Sequence, residues 1–537
     1  MEKELTNVPF YLLGMSNRAY LRCIDSNIQR PNLKEYSKAV FILHDQLNID
    51  AWPEWVREEK PLLIFIESKA KGSSLPYHKK KLVYLLSSMR HFALEQCSEG
   101  YPVCYHSTPG HYDDGLRELL GGSMDLKISY MTPSEWETRQ RIKSISEEFP
   151  ERLTEVPNTF FLADADKYKE KIRPGSRMEY FYRDMRRQTG YLMNGEEPEG
   201  GSWNYDDQNR EKLPKGISIS ERMTTKLDVI TKEVIELVRH EFDNHFGEIE
   251  SFGYAVTRLY ALHRLNEFIE KCLDNFGPYE DAMSNGEPVI FHSHLSMYLN
   301  NGLLLPEEVC DAVIKAYKEG KARLNSAEGF IRQVIGWREF VRVYYEATMP
   351  EARDFNYFEF DEKLPELFWT ADTKMNCMKE CVSPVIEQGY SHHIPRLMVL
   401  SNFSKLTKTD PGDLNEWFWF AYVDAYEWVV LPNVLGMSTF ADGGILASKP
   451  YVAGGNYINK MSDYCKNCAY KVKQKTGEEA CPFNYLYWNF IDEQRETFVQ
   501  NGRANFMVNL YEKKSEDEKK AIREDSEKFL STLKRIS

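Results

Sequence analysis

Two short runs, AVFIL (Ala39–Leu43) and LLIFI (Leu62–Ile66), decide the fold of the first third of the chain. Both are continuously apolar rather than alternating, the pattern of a strand buried on both faces. Val103–His106, Ile128–Met131 and Leu153–Val156 extend the series, with amphipathic stretches such as Lys81–Gln96 between them. Strands alternating with helices predict a doubly wound parallel α/β sheet over residues 38–165. Ligands of such sheets sit beyond the carboxyl ends of the strands. That puts His44, Asp45, Gln46 and Glu67 beside a candidate small-molecule pocket, or simply in solvated loops.

Outward from this sheet the pattern changes. Residues 1–37 have no clear period and read as an N-terminal extension. Residues 166–221, broken by Pro174, Gly175, Gly190, Gly195, Pro198, Gly200 and Gly201, read as a long linker. Within it Arg177, Arg183, Arg186 and Arg187 surround Tyr180, Phe181 and Tyr182. Arginine beside aromatics suits phosphate contact and base stacking, and equally a basic turn packed on the next domain. From residue 222 to 510 strand signals nearly vanish. Helical periodicity runs through Leu227–Phe242, Tyr260–Phe276, Pro306–Glu319, Glu328–Ala347, Met378–Thr407 and Asp413–Trp428, giving an all-α second domain. Residues 511–537, rich in Lys and Glu, read as a solvated C-terminal helix.

The chain has 537 residues, too many for one compact core. It carries 68 basic and 82 acidic side chains, net charge -14, which argues against a general polyanion binder but leaves room for a local basic groove. No apolar run is long enough to span a membrane, and Met1–Asn7 lacks the features of a secretion signal. A cytoplasmic monomer with no membrane partner is the expectation. Aromatics make up 13% of the residues, a proportion that suits a flat ligand or an electron path as well as a core.

The cysteines carry the strongest local signal. Cys465 and Cys468 form C-x2-C, and Cys481-Pro482 follows. A C-x2-C turn aims two thiolates at one metal, and a third from a nearby loop adds to the cage. The fourth ligand is Cys377 or Cys381, since no His occurs after residue 394. An all-thiolate set fits zinc or a [4Fe–4S] cluster, and the Cys-Pro step favours iron.

Longer motifs then point to a family. GFIRQVIGWREF (Gly329–Phe340), YSHHIPRLMVLSNF (Tyr390–Phe403), DAYEWVVLPNVLGMSTFADGG (Asp424–Gly444), NYINKMSDYCKNC (Asn456–Cys468), ACPFNYLYW (Ala480–Trp488) and MEYFYRDMRRQTGYLMNGE (Met178–Glu196) occur in the family's order. From about residue 38 to about 495 the chain resembles the cryptochrome/photolyase superfamily, in its iron–sulfur bacterial branch of photolyase-related proteins. The resemblance implies an antenna-type α/β domain, a linker, a helical domain holding U-shaped FAD, and a [4Fe–4S] cluster with Cys377 as its fourth ligand. Members of this branch resemble (6-4) DNA photolyases, so UV-damaged DNA is the implied partner.

The same resemblance gives expected roles. Ser293 and Ser296, in HSHLSMY (His292–Tyr298), match the phosphate side of the flavin site. Trp337 and Arg338 match the W-R-E core, with Arg338 as a diphosphate partner. Arg396 with Asp424 and Glu427 would form an ion pair beside the ring, and Asn433 would lie near its N5. His393 is the implied general acid and His392 its supporter, although adjacent helical positions diverge by roughly 100°. Leu397, Met437 and Tyr451 match the lesion pocket. Trp369, Trp417 and Tyr426 match aromatics that conduct electrons, with Phe418 standing where some members carry Tyr. A basic rim for DNA would combine the linker arginines with Lys466, Lys471, Lys473 and Lys475. Members also hold a ribityl-lumazine antenna in the α/β domain. Asp45, Gln46, Glu67 and Tyr77–His91 keep that pattern, whereas Lys71 and Ser74 stand in place of an acid and an aromatic. The reading that follows is a light-driven (6-4) photolyase. A cryptochrome-type photoreceptor with the same cofactors is the alternative, and a dark redox or DNA-binding protein with a structural metal is a third.

Overall fold

The computed structural model describes residues 20–500 and 505–536. Five strands, β1 (Lys38–Phe41), β2 (Leu62–Ser68), β3 (Val103–Thr108), β4 (Lys127–Met131) and β5 (Leu153–Val156), form one parallel sheet in the order β3-β2-β1-β4-β5. The order reverses between β1 and β4, where Ala39 lies opposite Leu62 on one side and Ile128 on the other. Side chains alternate between faces. Ala39, Phe41, Leu62 and Ile64 join one core cluster with Leu116, Leu120 and Ile142. Val40, Ile42, Leu63 and Phe65 join the main core, which runs on into the helical domain. Both faces are covered, as continuous apolar strands require.

The flanking segments are more ordered than their sequence pattern implies. Within the described part of the extension, helix Arg22–Asn27 buries Ile24, with Leu21 and Ile28 buried at its ends. Arg90, fully buried, bonds Glu67, Glu233 and the Tyr20 carbonyl, so it ties this segment to the sheet and to helix Val229–Glu241. The linker contains a twelve-residue helix, Met178–Thr189. Its arginines serve the fold. Arg186 is wholly buried and donates to the carbonyls of Tyr191, Leu192 and Trp203. Arg183 and Arg187 lie over the Trp203 ring at 5.4 and 4.8 Å. The C-terminal helix Glu516–Thr532 is solvated on one side only, with Ile522 and Ser526 buried and the Phe529 ring 6.4 Å from Phe403.

Two long helices of the second domain break earlier than their periodicity predicts. Met378–Thr407 divides into Asn376–Gln388 and a new helical segment from His393, and Asp413–Trp428 into Pro411–Ala421 and Glu427–Leu431. The first break occurs at Gly389, whose φ of +69° suits glycine and whose Cβ would lie 2.8 Å from Val423 Cγ2. Helix ends leave carbonyls without partners. Here they are met from the α/β domain by the first turn of helix Lys79–Ser98. His78 Nε2 donates to Ile386 O (3.0 Å) and Lys80 Nζ to Glu387 O (2.6 Å). The His78 backbone N–H donates to Phe420 O, and Lys81 Nζ to Trp419 O (2.8 Å) and Ala425 O (2.5 Å). The domains therefore meet through hydrogen bonds that also terminate two helices. No helix among the described residues is long and apolar enough to cross a membrane.

His78 is completely buried, and burial pushes its pKa down to about 3. Nδ1 accepts from Lys80 N, so only the neutral Nε2–H ring fits. A depressed histidine contributes stability that is present above the unfolded pKa near 6.5 and is lost as pH falls toward 3. Each such ring steepens the acid limb by about 1.4 kcal/mol per pH unit. His78→Asn keeps a helix cap but removes this titration. Denaturant unfolding between pH 4 and pH 8 is expected to give a lower plateau at pH 8 and an acid limb shallower by about that amount.

Candidate functional site

The breaks and three π-helical turns build one cavity of about 290 Å³ within the helical domain. The turns are Arg332–Arg338, Pro395–Ser401 and Pro432–Ser438. Each contributes to the wall: Gln333, Trp337 and Arg338 from the first, Arg396 and Leu397 from the second, Asn433 and Ser438 from the third. π-Turns are rare and concentrate at functional sites because they swing side chains out of the α register. Ser293 and Ser296 come from the start of the short helix Ser296–Asn300, and Tyr390, His393 and Asp424 from the broken segments.

The electrostatic centre of the wall is an ion pair. Arg396 makes a two-pronged contact with Asp424 (3.1 and 2.9 Å) and donates through Nε to Ser391 O. Its guanidinium lies 4.1 Å from the Tyr422 ring centroid. Ser296 Oγ donates to Asp424 at 2.6 Å, and Asn300 to the Asp424 carbonyl. Glu427 does not join this pair. It accepts from Tyr345 at 2.5 Å and pairs with Arg353, because the turn at Tyr426–Glu427 directs it to the outer side of the wall. Arg338 uses one nitrogen on Glu339 and another on Phe160 O, leaving only Nε without a partner among the described residues.

The two adjacent histidines diverge. His393 opens into the cavity, whereas His392 is 2% exposed and stacks on His292 at 4.1 Å and 17°. His393 keeps an exposed face on the void, with protein crowded around the rest of the ring. That crowding and then the Arg396 charge bring its pKa down to about 4, so it is neutral at pH 7 in this state. His392 does not line the cavity; its support is steric, through His292, whose Nε2 donates to Glu280 O. Of the lesion-pocket set, Leu397 lines the cavity and Met437 and Tyr451 do not. Tyr451 and Ser438 instead share Lys405, whose buried Nζ donates to both carbonyls and whose pKa burial lowers to about 7.

The three electron-path aromatics do not form one file. Trp417 is buried with Phe368, Phe418 and Tyr422 around it at 5.0, 5.1 and 5.8 Å, and Phe418 separates it from the cavity. Trp369 is partly buried one position beyond Phe368. Tyr426 faces the other domain, stacked on His44 at 5.8 Å and 11°. Sequence reasoning passed over Gln333, Tyr390 and Asn300, although the first two lie inside quoted motifs. Gln333 donates at 2.8 Å to Glu280, a carboxyl that burial raises to about 7. A second cavity of about 310 Å³ adjoins across Tyr390 and collects Arg222, Arg264 and His294. The Arg222 Nε and His294 Nε2 atoms have no partner among the described residues.

The anticipated DNA rim is largely neutralised. Lys466 pairs with Asp463, Lys471 with Glu479, Arg183 with Glu179 and Arg187 with Asp184, while Lys473 and Lys475 stay exposed.

Four thiols surround a separate closed void, lined by Cys377, Cys465, Cys468 and Cys481 but not by Cys381. Among the described residues no group of three ligands closes on a single ion. Gly455 supports the thiols, since a Cβ there would lie 2.8 Å from Cys481 Sγ. Burial, followed by the neighbouring sulfurs, raises Cys465 to about 12, so a cation beside it would be needed to hold its thiolate. The all-thiol donor set is of the type that holds soft metals. The dinucleotide cavity fits a flavin by the same kind of test: apolar walls, the free Arg338 Nε and the paired Arg396–Asp424 edge.

A twisted parallel sheet hydrogen-bonded onto a helical domain around such a cavity is the plan of the cryptochrome/photolyase class. The model of the deoxyribodipyrimidine photo-lyase-related protein family matches residues 40–254. The chain is 42% identical over 505 residues to the (6-4) photolyase of Agrobacterium fabrum, covering 93% of this chain and 100% of that protein. An uncharacterized protein of Acanthamoeba polyphaga mimivirus is 36% identical over 106 residues, 20% of this chain and 79% of its own length. The crystal structure of a bacterial class III photolyase from Agrobacterium tumefaciens superposes with a TM-score of 0.54 at 15% identity, covering 89% of this chain and 98% of that one, a likeness of fold. The chain belongs to the photolyase-related protein family.

Asp424→Asn leaves Arg396 buried without a counter-charge. Breaking a buried pair in this way costs about 3–5 kcal/mol. Urea unfolding is expected to give a lower midpoint with an unchanged slope, whereas Arg396→Met in the same background recovers part of the loss.

Proposed function

We propose that this protein is a light-driven (6-4) DNA photolyase, reverting (6-4) pyrimidine–pyrimidone photoproducts in UV-damaged DNA. The observation that carries the reading is His393, the imidazole that opens into the cavity beside Leu397 and the Arg396–Asp424 pair. It does so in a chain 42% identical, end to end, to a (6-4) photolyase. Reduced, illuminated FAD, when bound, supplies the electron that such a reversal needs. Ser293, Ser296 and Arg338 would hold its phosphates, Trp337 and Asn433 would flank it, and Asp424 would accept from its ring edge.

The chain's own residues then divide the work. Leu397 offers an apolar surface to a base removed from the stack. Arg396 fixes the local charge and keeps His393 neutral until negative charge arrives. An anionic lesion beside the ring raises its pKa, so His393 becomes a general acid only when substrate is present. Trp417 with Phe418 and Tyr422 supports electron supply to the cavity. Tyr426, apart from that group, supports a separate path or a wall. Under blue light a (6-4)-containing oligonucleotide is expected to be restored by reduced protein. His393→Ala should lower the yield at least about a hundredfold with flavin content unchanged. Flavin photoreduction without restoration of the oligonucleotide would select a cryptochrome-type receptor instead.

We further propose a [4Fe–4S] cluster on Cys377, Cys465, Cys468 and Cys481 in preference to zinc. Four thiols about one void, with the Cys481-Pro482 step, support the cluster. Cys377→Ser is expected to abolish the broad visible absorbance of the cluster, and Cys381→Ser to retain it. A colourless wild type with one zinc per chain would contradict the assignment.

A further inference from the structure

We infer that this chain binds no lumazine-type second chromophore, because a buried Lys71–Glu135 ion pair fills the interdomain place that such a ring would take. The cavity beyond the carboxyl ends of β1 and β2 has a volume of about 60 Å³, against about 290 Å³ for the main one. A bicyclic ring with a five-carbon polyol chain is far larger than that smaller void. Lys71 and Glu135 both line this small cavity and meet at 2.6 Å, with side chains 19% and 7% exposed. The Lys71 ammonium also lies 5.9 Å from the Trp419 ring centroid, in the helical domain.

The charged groups of the lining are already committed, and only the Trp419 Nε1 and the Tyr426 hydroxyl lack a partner among the described residues. Glu67 accepts from Arg90 (2.6 and 3.0 Å) and from Tyr105 (2.5 Å). The other Glu135 oxygen accepts from the Glu427 backbone N–H. Lys81 spends its ammonium on Trp419 O and Ala425 O. His44 is bonded to Tyr112 at 2.9 Å and stacked on Tyr426. Ser74, too short to cover a ring, lies 3.3 Å from the Tyr77 hydroxyl. A ligand would therefore have to break an ion pair within the α/β domain that also touches the helical domain at the Trp419 ring and the Glu427 N–H. That step weakens binding by about two to three orders of magnitude. Burial opposes ionisation of Glu135, but Lys71 outweighs it and holds the carboxyl at about 2, so no physiological pH releases the pair.

The inference concerns chromophore binding, and its test does not depend on repair. Full-length protein is expressed in a host that makes riboflavin, and hence its ribityl-lumazine precursor. The released small molecules are separated and quantified by absorbance and fluorescence. Flavin with only a trace of lumazine is expected, and 6,7-dimethyl-8-ribityllumazine added to the purified protein should show no quenching. Near one lumazine per chain, or saturable quenching by the wild type, overturns the inference. The paired substitution Lys71→Ala with Glu135→Gln empties the cavity and leaves no unpaired buried charge. At unchanged flavin content it should gain at least about tenfold in lumazine affinity. Absence of that gain overturns the claim that the ion pair is what excludes the ring. Should the paired variant not fold, the wild-type titration alone decides.

Discussion

The site depends on how two helices are allowed to stop. A helix end presents carbonyls that must be satisfied, and an interior helix end has no water to do it. Here the α/β domain supplies the donors: His78, Lys80 and Lys81 cap Ile386, Glu387, Trp419 and Phe420. Cations at helix carboxyl ends are also favoured by the backbone dipoles. With both helices closed at Gln388 and Ala421, the following residues are free to leave the helical path. They are Tyr390 and His393 on one strand of chain and Tyr422 and Asp424 on the other, stitched by Val423 N to Gly389 O. The α/β domain is thus part of the machinery that shapes the cavity, whether or not it holds a chromophore of its own.

This arrangement explains what could be read in the sequence. The five strands were legible because burial on both faces leaves one simple mark, an unbroken apolar run. Cys465, Cys468 and Cys481 stood out because ligand chemistry ties residue type to spacing, whereas the choice of Cys377 over Cys381 came only from the resemblance. The helix breaks were not. Met378–Thr407 keeps an apolar period through Gly389, Tyr390 and Ser391, since those residues are buried among protein on all sides. Periodicity reports burial and says little about backbone path where everything is buried. The partners that stop the helix lie about three hundred residues away in sequence, at His78 and Lys80. No local window contains both halves of that interaction.

The same limit explains the residues whose roles changed. Arg338, Arg396, Asp424 and Glu427 all sit in recognisable motifs, which suggested Arg338 as a diphosphate partner and the other three as an ion pair beside the ring. The backbone turn at Tyr426 and the π-turn at Arg332–Arg338 redirect two of them. Glu427 is spent on Tyr345 and Arg353, and Arg338 mostly on Glu339 and Phe160. The adjacent histidines were separable in principle. Helical geometry forbids neighbours from sharing a direction, but it does not say which one faces the void. That depends on His292, which holds His392 by stacking.

The body is acidic overall, with a net charge of -14, and its buried ionic groups carry both signs, but some cations near the cavities have no carboxylate of their own. Arg396 has Asp424, but Lys405 has carbonyl partners, and the Arg222 Nε has no partner among the described residues. A buried ammonium held only by neutral acceptors is costly, and a neutral amide would make the same hydrogen bonds at less cost. Retaining the charge makes physical sense where negative charge is to be received: a flavin diphosphate, a reduced ring, or a lesion carrying an added electron. An acidic exterior repels undamaged polyanions at long range, while a cationic interior rewards only a ligand that penetrates it. Discrimination would then reside in how far a nucleotide can enter rather than in how strongly the surface attracts DNA. That division agrees with the paired, weakly basic rim and with the place of the Arg396–Asp424 pair in the cavity wall.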